Sequence, residues 1–151
     1  MTMSNIPFRK ILVGANGFPE SERAIEVAIS LARSLNAQIV VLGVIVPLSP
    51  EAQAEGIGLE AASNTRTKIQ EQVRKSVELA HGLGIDVISE IADGDAEKEI
   101  ERKSDEVSAD LIVVGHRDIS RVRRWLEGST SETLVQRSPT SILVVHDEHS
   151  K

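Results

Sequence analysis

The sequence predicts an α/β fold, a three-layer sandwich built on a five-stranded, mostly parallel sheet. Three observations carry that expectation. Four segments are near-continuous runs of Val, Ile and Leu, the composition of strands covered by helices on both faces. Between the runs, apolar residues recur at three and four positions, the period of an amphipathic helix. The two patterns alternate along the chain, and parallel strands need helical crossovers of this kind.

The first strand is "KILVGA", residues 10 to 15. A helix follows with Ala24, Ala28, Leu31, Ala32 and Leu35 on its apolar stripe, Ser21 as its expected N-cap and Pro19 just before. "QIVVLGVIV", residues 38 to 46, is the second strand. Residues 47 to 60 hold two prolines and two glycines without periodicity and read as a long loop, either a functional segment or a tolerated insertion. Ile69, Val73, Val77 and Ala80 then mark a helix ending at Gly82 or Gly84, where a C-cap favours glycine. "DVISEIA", residues 86 to 92, alternates more and carries Ser89 and Glu90, which suits a strand nearer the edge. A shorter helix with Ala96, Ile100 and Val107 stands behind Asp95, and "DLIVVG" (110–115) is the fourth strand. Thr133, Leu134 and Val135 belong to a helix behind Gly128-Ser129, and "SILVVH" (141–146) closes the series.

With 151 residues, 40% of them apolar, the chain is the size of one ordinary domain, expected over 1–151 with its core in 9–147. A net charge of -6 argues against general affinity for nucleic acid or for an anionic membrane, since both call for a basic face. Cysteine is absent, which excludes disulfides and thiolate metal sites. His81, His116, His146 and His149 contain no pair at the i, i+4 spacing of a helical metal site, and no metal is expected. The opening "MTMSNIPFRK" lacks the apolar core of a signal peptide, and no apolar run reaches the ~18 residues of a membrane span. A soluble, cytoplasmic protein is expected.

In an open parallel sheet, ligands bind outside the carboxyl ends of the strands, where the strand order reverses. The loop after the fourth strand, "GHRDISRVRRWLEGS", is the most informative. Gly115 at a strand end permits close approach, and Gly128-Ser129 at a helix start offers free N–H groups beside a hydroxyl. Phosphate is stabilised by such an arrangement. Arg117, Arg121, Arg123 and Arg124, set against Asp118 and Glu127, leave residues 116 to 127 at net +2. Guanidinium groups grip phosphate in two-point fashion. Equally, the arginines are solvated while Trp125 covers the sheet end, and spacing leaves both readings open. Neither a G-x-x-x-x-G-K-[ST] loop nor a G-x-S-x-G elbow is present, so dedicated catalysis is not expected.

The opening "ILVGANGFPESERAIEVAISLA" and the later "DLIVVGHRDISRVRRWLEGSTSETLVQRSPTSILVV" resemble the first strand and helix and the C-terminal signature of the universal stress protein family, in its single-domain UspA-like form. The resemblance runs from Lys10 to His146. It implies the adenine nucleotide alpha hydrolase-like fold with strand order 3-2-1-4-5. It also implies ATP or AMP as ligand, with Mg²⁺ accompanying ATP. The nucleotide-binding branch carries Gly, two residues, Gly, nine residues, then Gly-Ser or Gly-Thr. Here Gly115 opens the pattern, Asp118 replaces the second glycine, and Ile119 to Glu127 supply the nine residues before Gly128-Ser129. Asp118 sets a carboxylate near the phosphates, although aspartate tolerates a left-handed turn. Asn16 stands where the family usually has Asp; it keeps a carbonyl acceptor and gains an NH₂ donor.

By that resemblance Gly14, Ala15 and Asn16 line the nucleoside side and Val44 the adenine side. Val114, Gly115, Arg117, Gly128, Ser129, Thr130 and Ser131 line the ribose and phosphate side. The family commonly pairs its last strand with a twofold copy, which implies a homodimer through Ser141 to His146. The function implied is regulatory adenine-nucleotide binding in the stress response, with at most slow ATP hydrolysis. The alternative is a dimeric interaction module that binds no nucleotide.

Overall fold

The apolar runs pair as a sheet, in a computed structural model that describes residues 8–56, 58–116 and 140–146. The elements are β1 (Lys10–Ala15), α1 (Pro19–Leu35), β2 (Gln38–Ile45), α2 (Pro50–Ala54), α3 (Leu59–Gly82), β3 (Val87–Asp93), α4 (Ala96–Val107), β4 (Leu111–Gly115) and β5 (Ser141–Val145). The strand order is β3-β2-β1-β4-β5, and each neighbouring pair is parallel. The expected α/β class and order 3-2-1-4-5 are both present.

Successive residues of each strand face opposite helical layers. Ile11, Val13, Ile39, Val41, Leu111 and Val113 pack under α1 and α3 with Ala24, Ala28, Ile69 and Val73. Leu12, Val40, Leu42, Ile112 and Val114 pack on the other side, with Ala96, Ile100 and Val107 of α4. Burying one such aliphatic side chain is worth about 1.5–3 kcal/mol. Gly43 of β2 lets α3 come close: a Cβ there would stand 2.7 Å from Cγ2 of Ile69 and 3.0 Å from Cγ2 of Val73. At the amino ends of the strands, the Asp110 carboxylate accepts hydrogen bonds from the backbone N–H of Arg9 and Lys10 and so ties β4 to β1.

Two expectations are corrected. Ser21 is not the N-cap of α1. Pro19 already occupies the first helical turn, Phe18 is the cap residue, and the Ser21 hydroxyl turns inward, fully buried. Residues 47 to 60 are not one irregular loop, because they contain α2 and the start of α3. Residues 63 to 68 of α3 are polar, exposed and free of strong helix breakers, so they continue the helix without an apolar stripe. The stripe begins at Ile69, where α3 meets the sheet. Other caps fall as expected: Asp95 accepts from the N–H of Glu97 at the start of α4, and α3 stops at Gly82. The expected helix at Thr133 to Val135 lies outside the described residues.

Candidate functional site

The site begins where two ladders part. β1 and β4 pair only through Ile11↔Leu111, Leu12↔Ile112 and Val13↔Val113. Beyond that point β1 stays with β2 as far as Ala15↔Gly43, and β4 stays with β5 as far as Gly115↔Val145. The carboxyl ends of the two central strands therefore diverge at the place where the strand order reverses. Such a crevice is where open parallel sheets take ligands.

Gly14 borders this opening. A Cβ added to it would meet nothing within 4 Å among the described residues. Gly115, across the split, is buried against the start of α1; its Cβ would stand 3.1 Å from the carbonyl oxygen of Glu20. Two glycines thus shape the opening differently, one leaving space and one allowing a helix to close in.

The loop from β1 to α1 is held by a residue distant in sequence. Gln72 of α3, buried at 7% exposure, accepts a hydrogen bond from the Gly17 N–H at 3.0 Å and donates through Nε2 to the Phe18 carbonyl at 3.1 Å. Its Oε1 lies 2.7 Å from the Ser21 hydroxyl, which is also 3.0 Å from the Phe18 carbonyl. Gly17 has a φ of +85°, a left-handed conformation that favours glycine. Within this loop the Asn16 side-chain oxygen accepts from the Phe18 N–H at 2.9 Å, and the Asn16 N–H reaches the Ser21 hydroxyl at 3.3 Å. Asn16 Oδ1 therefore serves the turn, a service an Asp carboxylate performs equally well. What distinguishes Asn16 is its NH₂ group, a donor where Asp has a second acceptor.

Of the other candidate residues, Ala15 is buried in the α1 layer, and Val44 and Val114 are buried in the α4 layer at 8% and 1% exposure. Val114 is thus a core side chain on the face that Gly14 shares. Gly14, Ala15, Asn16 and Gly115 lie at the carboxyl ends of β1 and β4, and Val44 lies near that end of β2. Arg117, Gly128, Ser129, Thr130 and Ser131 lie outside the described residues, as do Asp118, Arg121, Arg123, Arg124 and Trp125.

Sequence reasoning missed Gln72 and the meeting of His116 with His146. Gln72 has a faint signal: it is a polar residue between Ile69 and Val73, one helical turn along the face that packs inward. The histidines directly follow the last β4–β5 pair, and their ring centroids stand 4.3 Å apart. Among the described residues no group of three or more His, Cys, Asp or Glu is placed to hold a metal, and no helix is long and apolar enough to cross a membrane.

Among the described residues, a cluster of paired charges lies away from the crevice, along β3 and α4. Arg102 is paired with Glu90, Glu99 and Glu106, and Lys103, only 8% exposed, lies between Glu90 and Glu106. The hydrogen bond from Arg102, with the nearby charge of Lys103, holds the Glu90 carboxyl below its ordinary range despite partial burial. The Glu71 carboxyl is lowered likewise by its hydrogen bond from Arg74 on the exposed face of α3.

Comparison with known proteins agrees with this architecture. The Universal stress protein family model matches residues 7–146. A Staphylococcus aureus (strain USA300) protein described as a universal stress protein is 28% identical over 145 residues, covering 95% of this chain and 87% of its own. A universal stress protein solved in complex with cAMP is 26% identical with a TM-score of 0.63, over 93% of this chain and 98% of its own. A family member from Arabidopsis thaliana solved with AMP bound has a TM-score of 0.61 at 21% identity, over 93% of each chain, and shows the shared fold. With the family pattern spanning nearly every described element, the chain belongs to the universal stress protein family.

Proposed function

We propose that this chain binds an adenine nucleotide, ATP or AMP, in the crevice between β1 and β4 and acts as a regulatory protein of the stress response. The observation that carries the reading is the early end of the β1–β4 ladder at Val13↔Val113, with Gly14 leaving space beside it. The similar universal stress protein solved with cAMP supports an adenine nucleotide as the ligand class. In this reading Gly14, Ala15 and Asn16 flank the nucleoside, with Val44 toward the adenine. Val114, Gly115, Arg117, Gly128, Ser129, Thr130 and Ser131 serve the ribose and phosphates. Backbone N–H groups, the Ser129 and Thr130 hydroxyls and one or more arginines supply the donors that phosphate needs. Mg²⁺ accompanies ATP. Nucleotide binding acts by favouring one arrangement of the surrounding loops, so that partner choice follows ligand occupancy.

Calorimetric titration with ATP, AMP and cAMP, with and without Mg²⁺, tests this reading. Saturable micromolar binding is expected. Gly14→Val adds a side chain whose Cβ meets no described residue within 4 Å, so the fold should tolerate it while affinity falls by about tenfold, or 1.4 kcal/mol. Gly128→Val should weaken binding as well. Absence of heat up to millimolar nucleotide would overturn the reading. It would favour the second one, an interaction module in which the Asp118 carboxylate has closed the phosphate site.

A further inference from the structure

We propose that His116 and His146 together form a two-point site for a divalent late transition-metal ion, copper(II) or nickel(II). The β4–β5 ladder runs in register to Gly115↔Val145, and the next residue on each strand is histidine. Parallel pairing therefore sets the two imidazoles side by side at the carboxyl edge of the sheet. Their centroids are 4.3 Å apart and their planes are inclined by 33°. The residues lie 30 positions apart in sequence, so only strand pairing reveals them as a pair.

The separation bears on the coordination geometry. With metal–nitrogen bonds of about 2.1 Å, two imidazoles at a right angle on one ion have centroids about 4.5 Å apart, against about 5.2 Å at a tetrahedral angle. The observed distance of 4.3 Å lies nearer the right-angle value. Square-planar and octahedral ions meet that requirement, and imidazole ligands suit copper and nickel. The χ2 torsion of histidine is broad, so turning a nitrogen of each ring toward a shared point needs no change of backbone. Both strands are already fixed by the ladder, which lowers the ordering cost of the second bond. His116 is half-buried and His146 is exposed in the single chain. This site is independent of the nucleotide reading and needs no bound nucleotide.

The test is a titration of the untagged full-length chain with NiCl₂ at neutral pH, followed by calorimetry. Cu²⁺ with electron paramagnetic resonance counts the ligating nitrogens. The expected result is one ion per chain and a spectrum showing two imidazole nitrogens. His116→Ala and His146→Ala should each weaken binding by at least about tenfold, because either leaves a single ligand. His146→Gln, a change at an exposed side chain, should do the same while keeping the parent's melting curve. His81→Ala and His149→Ala should leave the affinity unchanged. No saturable binding up to millimolar Ni²⁺, loss on changing only one of the pair, or loss on His149→Ala would each overturn the proposal and leave the rings as a packing contact.

Discussion

At the scale of single residues, two positions govern how α3 meets its neighbours. Gly43 leaves no room for a side chain between β2 and α3, and Ile69 beneath it is only 2% exposed and hemmed in by core. Gly43→Ala should therefore destabilise the protein by about 1–3 kcal/mol through overpacking, read as a lowered melting temperature. Gln72 matters for the opposite reason. Gln72→Leu keeps the volume but leaves the Gly17 N–H without its partner, at a cost of about 1–3 kcal/mol, while the Phe18 carbonyl keeps the N–H and hydroxyl of Ser21. Amide hydrogen exchange at Gly17 should speed up, and under the proposed function nucleotide affinity should fall because Asn16 rides on the same loop. Unchanged exchange at Gly17 would show that the turn holds itself through Asn16 alone. The contacts of Gln72 were barely legible in the sequence, since a buried polar residue on a helix declares itself only when its partners are known. Asn16 was legible as a site residue, but its task within the turn was not.

Among the elements, α4 and β3 are joined by charge more than by apolar area. Glu90 on β3 meets Arg102 and Lys103 of α4, and its carboxyl is held below the ordinary range. A lowered folded pKa means that the contribution is fully present above the ordinary carboxylate range and is lost as pH falls through the depressed value. Glu90→Gln should cost about 0.5–1 kcal/mol at pH 7, and the difference from the parent should close below about pH 4. Melting curves across that range check the sign. A gap that stays constant with pH would mean that packing, not charge, links the two elements. The strands themselves were nearly all legible, because positions buried on both faces must be apolar without interruption. The helix α2 and the first turns of α3 were not, since they carry no apolar stripe facing the sheet. Strand order was beyond the reach of spacing and came through family resemblance.

The whole molecule leaves β5 at one edge of the described sheet, with Ile142, Leu143 and Val144 half-buried. Unpaired apolar edges favour pairing with a further strand. A homodimer through Ser141 to His146 is our proposal, and light scattering at micromolar concentration should give twice the mass of one chain. A monomer would remove it. The strand order also bears on how the molecule is made. β1, β2 and β3 are neighbours both in sequence and in the sheet, so a growing chain can assemble that half while it is still on the ribosome. The other edge of β1, carrying Ile11, Leu12 and Val13, must wait from its own emergence until β4 follows about 100 residues later, roughly 5–20 s at ordinary elongation rates. The seam beside the proposed nucleotide crevice thus closes only after the first three strands have been made, and a ribosome stalled within α4 would hold a half-built sheet with the Ile11–Val13 edge of β1 exposed to neighbouring nascent chains.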